Sequence, residues 1–211
     1  MADRSPVPAT KGAQTRRAIL EAAIGRFGRD GYRSTSVADI ARDAGVGGSV
    51  AYTYFADKEA LFLAALDEDA AALIHEGLTA AFGEPGNSDW PETLLFTLVA
   101  AVQRRPLARR LLGGLEPGVT DRVLEIPALA ELRKACAERL GTEQLAGTVR
   151  SDIDPTVVGN GLVIILLSLL MSIVQLGADV AGPYTGDVRA VFAAALDRRP
   201  SPGQPDLGPT A

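Results

Sequence analysis

The chain has 211 residues, 47% of them hydrophobic but only 5% aromatic, with one cysteine and a formal net charge of −5. That length suits one large domain or a small one joined to a larger, with a real core, and the dominance of Ala, Leu and Val over aromatic and β-branched runs favours an all-α fold. The lone cysteine, Cys136, excludes an internal disulfide and fits a reducing compartment.

A net negative charge argues against a uniformly basic nucleic-acid binder, but the charge is unevenly spread. Residues 1–60 carry nine Lys+Arg against seven Asp+Glu, whereas residues 61–211 carry twelve against nineteen. The electropositive part is the start, where Arg4, Lys11, Arg16 and Arg17 gather.

Residues 1–12 hold Pro6 and Pro8 and no apolar stretch of the kind a secretory signal needs. They are expected to form a disordered arm on a cytoplasmic protein. Ile19, Ala22, Ala23 and Phe27 make an apolar stripe at helical spacing, predicting a helix from about Ala13 to Phe27 that Gly28 stops. Ser36 and Asp39 form a capping box ahead of Val37, Ile40, Ala41 and Ala44, and Gly45 ends that helix after about two turns. A third helix is expected from Gly47 or Gly48 to Phe55, and Asp57 caps a long fourth helix reaching about Phe82. Two short helices meeting at a glycine turn have the spacing of a DNA-binding helix-turn-helix. An ordinary αα-hairpin has the same spacing.

The residues themselves are more specific. Thr35-Ser36-Val37-Ala38-Asp39-Ile40-Ala41-Arg42-Asp43-Ala44-Gly45-Val46 and Tyr52-Thr53-Tyr54-Phe55-Ala56-Asp57-Lys58-Glu59-Ala60-Leu61 resemble the tetracycline-repressor (TetR) family. Upstream, Ala18-Ile19-Leu20-Glu21-Ala22-Ala23 with Phe27, Gly31 and Tyr32 resembles that family's first helix, so the likeness covers about the first 60 residues. It implies a three-helix DNA reader over residues 13–60 and a helical domain over 61–197 that dimerises and binds a small molecule. By the same resemblance Ser36 and Tyr54 would touch phosphates, Tyr52 and Thr53 would lie at the groove, and Lys58 would meet a phosphate at the start of the fourth helix. Phe55 and Leu61 are expected in the core. The chain departs from the family at Gly47, Gly48, Ser49 and Val50. The two glycines weaken the helix start by roughly 0.5–1 kcal/mol each relative to Ala and offer no side chain to a base edge. Ser49, Val50 and Thr53 are left for direct readout, with DNA shape carrying more of the specificity.

Beyond residue 82 the sequence reads as helices broken at Gly83 to Asp89, at Arg105-Pro106, at Gly113 to Gly118 and near Gly141. Residues 155–178 are 24 residues without a charge, long enough to span a membrane, yet flanked by Asp152, Asp154 and Asp179 rather than by a basic cluster. The preferred reading is a buried helix opened by Pro155 and closed near Gly177, with a membrane-associated or purely interacting helical protein as the alternative. Asn160, Ser168, Ser172 and Gln175 fall within about a third of its circumference. That polar arc lines either a ligand cavity or a dimer seam. Leu166 and Leu170 are assigned to a dimer bundle completed by a helix from about Thr185 to Leu196, and the proline-rich tail 198–211 is expected to be disordered.

Nothing composes a catalytic or metal site. His75 has no second histidine, and Gly45-Val46-Gly47-Gly48 lacks both the preceding strand and the third small residue of a dinucleotide loop, since Val50 stands there. No cofactor is expected. The expected partners are double-stranded operator DNA, a second copy of the chain and a small hydrophobic or aromatic effector held near Phe96, Gln103, Asn160 and Ser168, which are polar or aromatic on otherwise apolar helices.

Overall fold

The computed structural model describes residues 10–197 apart from 85, 117 and 119. Ten α-helices and one 3-10 turn make up the described residues, which contain no strand. The arm expected at 1–12 lies outside them up to residue 9, and the tail 198–211 lies outside them entirely.

Helix α1 spans Lys11–Ser34, opened by Thr10, whose Oγ1 accepts from the Ala13 amide at 3.3 Å. It therefore begins inside the stretch assigned to the arm. It also runs past Gly28, the expected stop. Gly28 is buried, and a Cβ there would fall 2.7 Å from the Leu107 amide nitrogen of a later helix, so the glycine permits close approach rather than termination. The bend comes three residues later, at Gly31, with φ +80°.

Helix α2 (Val37–Asp43) is capped by Ser36, and the chain turns at Gly45, φ +68°. Helix α3 covers only Ala51–Tyr54, shorter than the expected start at Gly47 or Gly48. Helix α4 (Lys58–Phe82) is capped by Asp57, whose Oδ1 accepts from the Ala60 amide at 2.8 Å. Its N-terminal half packs on α1, where Phe27 meets Phe62 edge-on at 4.9 Å between centroids, with Ile19, Ile40, Ala51, Phe55 and Leu61 buried around them.

The remaining helices are α5 (Trp90–Gln103), α6 (Pro106–Leu112), α7 (Pro127–Leu145), α8 (Pro155–Leu176), α9 (Ala178–Ala181) and α10 (Tyr184–Leu196), with the 3-10 turn Thr120–Glu125 before α7. Four of them carry proline in the first turn, where the missing N–H has no intrahelical partner to lose. The expected break near Gly141 is absent. The Arg139–Glu143 pair, 2.7 Å apart, spans that glycine inside α7, and the chain turns instead at Gly147, φ +70°.

Helix α8 is long and apolar enough to cross a membrane, but Leu162, Val163, Leu166, Leu169, Leu170 and Ile173 are buried in the core. Asp154 caps it, accepting from the amides of Thr156 and Val157, and Gly177 closes it at φ +93°. Leu166 and Leu170 thus pack within the protomer and do not form the surface seam assigned to them.

Candidate nucleic-acid interface and effector cavity

The α2–α3 unit divides its side chains cleanly between core and solvent. Val37, Ile40, Ala41, Ala51 and Phe55 are buried, which leaves Ser36, Gly47, Gly48, Ser49, Tyr52 and Thr53 exposed and Val50, Tyr54 and Lys58 half-buried. Every residue expected to meet DNA is therefore open to solvent at least in part. Between the helices the chain is held by single turns, with the Val50 amide donating to Gly47 at 2.9 Å and the Thr53 amide to Val50 at 3.0 Å. The two glycines withhold helix propensity where the regular i to i−4 ladder would otherwise begin.

Ser36 does not close the expected capping box. Its Oγ accepts from the Asp39 amide at 3.1 Å while its hydroxyl donates to Asp39 Oδ2 at 2.7 Å, so the Asp39 carboxylate faces the Ser36 hydroxyl rather than the Ser36 amide. The Ser36 hydrogen bond and the Arg42 guanidinium hold Asp39 below the ordinary carboxylate range. Asp43 is likewise held down by a two-point contact from Arg26, at 2.8 and 2.9 Å.

Lys58 is placed by two features. It is the first residue of α4, where the free amides and helix dipole favour an anion. Its Nζ lies 4.4 Å from the centroid of the Tyr32 ring, a cation–π contact that holds the ammonium at the α1–α4 junction. Arg16 sits over Phe55 at 5.2 Å, and the Tyr54 hydroxyl rests beside Gly12 at the start of α1.

Behind this reader lies an apolar cavity of about 70 Å³, lined by Leu66 and Leu73 of α4, Leu111 and Leu112 of α6, and Val163, Leu166 and Leu170 of α8, among others. Among the described residues, the one charged side chain on its wall is Asp69 of α4, which is buried. Asp69 accepts from Arg105 Nη1 and from the Ala108 amide, both at 3.1 Å, and so ties α4 to the first turn of α6. Burial pushes its pKa up against the pull of those two donors.

None of the four residues expected at an effector site lines this cavity. Phe96, 54% exposed, borders a separate open groove of about 970 Å³ between α5, α7 and α10, and Gln103 is exposed at the end of α5. Asn160 and Ser168 face outward on α8, alongside the exposed Ile164 and Ile165. The polar arc exists but points away from the cavity, because the inward stripe of α8 is wholly apolar; Gln175, at the end of the arc, donates to the Leu112 carbonyl at 2.8 Å. The lining leucines carry no sequence signal separating them from ordinary core. Asp69 carries none either, because it ends the acidic run Asp67-Glu68-Asp69, which reads as a solvated helix face.

His75 is exposed on α4, and the described residues contain no group of three or more potential metal ligands. Cys136 is buried, its thiol pushed up to about 12 by desolvation.

Comparison with known proteins places this arrangement. The family model for bacterial regulatory proteins of the tetR family matches residues 19–65, which take in most of α1 and all of α2 and α3. The HTH-type transcriptional repressor Rv1474c of Mycobacterium tuberculosis is 30% identical over 166 residues, covering 75% of this chain and 81% of that protein. Among solved structures, a TetR-family transcriptional regulator from Mesorhizobium loti superposes with a TM-score of 0.67 at 23% identity, over 90% of this chain and 100% of that one. FadR from Thermus thermophilus, a TetR-family repressor solved with lauroyl-CoA, gives 0.61 at 22% identity, over 90% and 100%. These likenesses cover the reader and the helices behind it alike, and the chain belongs to the TetR family of bacterial transcriptional regulators.

Proposed function

We propose that the protein is a cytoplasmic, homodimeric repressor that binds a palindromic operator through α2 and α3 and is released by a small apolar effector. The observation that carries this reading is the division of α2–α3, where Ser36, Ser49, Tyr52 and Thr53, with Lys58 at the start of α4, are accessible while Val37, Ile40, Ala41, Ala51 and Phe55 are buried. Residues 13–60 would be the reader and 61–197 the effector-binding and dimerising part. Ser36, Tyr54 and Lys58 are assigned to phosphates. Tyr52 and Thr53 are assigned to the groove, with Ser49 and Val50 beside them and Gly47 and Gly48 bringing backbone near the DNA. With so few side chains at the tip, sequence discrimination rests substantially on DNA shape.

The effector reading moves from Phe96, Gln103, Asn160 and Ser168 to the cavity between α4, α6, α7 and α8. At about 70 Å³ it is smaller than the roughly 150 Å³ apolar cavity that takes up benzene, so an effector must part its walls. An apolar lining favours a neutral, apolar ligand portion, since a buried charge without a partner is costly. The outward face of α8, with Val157, Gly161, Ile164, Ile165 and Ser168, supports pairing with a second copy.

The test is a gel shift with DNA from upstream of the protein's own gene, with an excess of unrelated duplex as competitor. A retarded species that survives the competitor, and whose half-sites lie about one helical turn apart, is expected. Retardation abolished equally by any duplex would remove the operator reading.

A further inference from the structure

We propose that Glu116, in the segment after α6, is the positioning residue that seats the DNA-contacting lysine, acting through Tyr32; this rests on the reading of Lys58 as a phosphate contact. The two lie on different parts of the fold, joined by a run of contacts through the bend at Gly31.

At Gly31 helix α1 leaves helical geometry, and the next amide, that of Tyr32, donates to Glu116 Oε1 at 3.2 Å. The same oxygen accepts from Arg110 Nε of α6 at 3.0 Å, and Glu116 is buried. A Cβ on residue 31 would collide with the Arg110 guanidinium and fall 2.9 Å from Glu116 Oε1, so the ion pair lies directly on the bend. On the far side Thr35 Oγ1 donates to the Gly31 carbonyl at 2.8 Å, fixing the turn from below.

The bend aims the Tyr32 ring. It packs 4.9 Å from Phe62 and 6.1 Å from Phe27, and its face carries the Lys58 ammonium at 4.4 Å. A positive φ at residue 31 is open to glycine but strained for other residues, so this orientation depends on the backbone conformation that Glu116 and Arg110 hold. Arg110 precedes Leu111 and Leu112, two residues of the cavity wall. Glu116 therefore joins the helix that borders the cavity to the side chain assigned to phosphate.

The test uses the full-length protein and a 30-base-pair duplex of arbitrary sequence, with affinity read by fluorescence anisotropy across a KCl series. Lys58→Ala is expected to weaken binding and reduce the log–log salt slope by about one per protomer. Glu116→Ala is expected to weaken the same duplex about three- to tenfold and to add little in the Lys58→Ala background, because both act on one contact. In proton–carbon NMR the Lys58 side-chain methylenes should be shifted upfield by the Tyr32 ring and relax toward ordinary positions in the variant. Should Glu116→Ala fail to fold, Glu116→Gln, which keeps an acceptor and loses the charge, is expected to shift the Lys58 resonances in the same direction. Additive losses from the two substitutions, or Lys58 resonances unmoved in a folded Glu116 variant, overturn the proposal. If Lys58→Ala itself leaves affinity and slope unchanged, the phosphate assignment fails, and the role of Glu116 falls with it.

Discussion

Asp43 and Asp69 are both carboxylates facing an arginine, yet the fold treats their charges in opposite ways. Asp43 lies on the surface of α2, where the hydrogen bonds from Arg26 hold its pKa below the ordinary value, and Ser36 does the same for Asp39. A group with a depressed folded pKa contributes stability that is present above its unfolded value, about 3.9, and is lost as pH falls through the folded one. Asp69 is buried and its folded pKa is raised, so the sign reverses: its contribution is present below the unfolded value and is lost as pH rises through the folded one. Urea unfolding measured from about pH 3 to 7 separates the two. Asp69→Asn should remove a fall in stability with rising pH above about 4, and Asp43→Asn should remove a rise below it. An Asp69→Asn profile parallel to wild type throughout would mean that Asp69 does not titrate in this range. At the tip of the reader a second residue-scale effect is accessible. Gly48 has no positive φ, and a Cβ there meets nothing within 4 Å. Gly48→Ala should therefore raise stability by about 0.5–1 kcal/mol, by restricting the unfolded chain and letting α3 begin earlier. An unchanged or lower urea midpoint would show that the turn at Gly47–Val50 is held by more than glycine's low propensity.

Helix α8 shows what an element's sequence does and does not declare. Its ends were legible because they are set locally, by Pro155 in its first turn and by the positive φ that Gly177 accepts easily; the Asp154 cap was read only as a flanking acid. The capped starts of α2 and α4 were legible for the same reason. Which way its polar arc faces was not legible, because that depends on the stripe that α5, α6 and α7 bury. Glycine misled twice on the same ground. Gly28 and Gly141 look like stops in sequence, but one is a point of contact with α6 and the other is bridged by the Arg139–Glu143 pair. The two faces of α8 separate self-association from folding. Ile165, on the outward side, changed to Arg should leave the protomer folded and abolish self-association, whereas Leu166→Arg should cost several kcal/mol by burying an unpaired charge. Sedimentation velocity with circular dichroism reads both. A dimeric Ile165→Arg protein would place the seam elsewhere, and a fully stable Leu166→Arg protein would contradict the packing of α8.

Across the whole molecule, α4 runs from the reader to the cavity, and α6, on the cavity wall, packs against α1 at Gly28. Helix α6 is seven residues long and is followed by Gly114 at positive φ, so among the cavity walls it is the short one, while α4, α7 and α8 are long helices in the core. An apolar ligand that enlarges the cavity can shift the DNA-binding equilibrium only if it binds the two arrangements unequally. The expected coupling is about 1–3 kcal/mol, or roughly 5- to 150-fold in operator affinity, and operator DNA must alter ligand affinity by the same factor. Displacement of α6 offers the route, since Pro106 and Leu107 rest against Gly28 and Asp69 ties the same turn to α4. Gly28→Ala puts a methyl 2.9 Å from Pro106 Cβ and forces α6 outward before any ligand arrives. Overpacking of this kind typically costs about 1–3 kcal/mol, seen here as a lower unfolding midpoint. The variant should bind operator more weakly without ligand and respond less to it, because part of the displacement has already occurred. Toluene serves as a neutral probe of the cavity, with operator affinity measured at several toluene concentrations for both proteins. An equal response in wild type and Gly28→Ala would mean that α6 does not carry the signal, and that the cavity speaks to the reader through α4 alone.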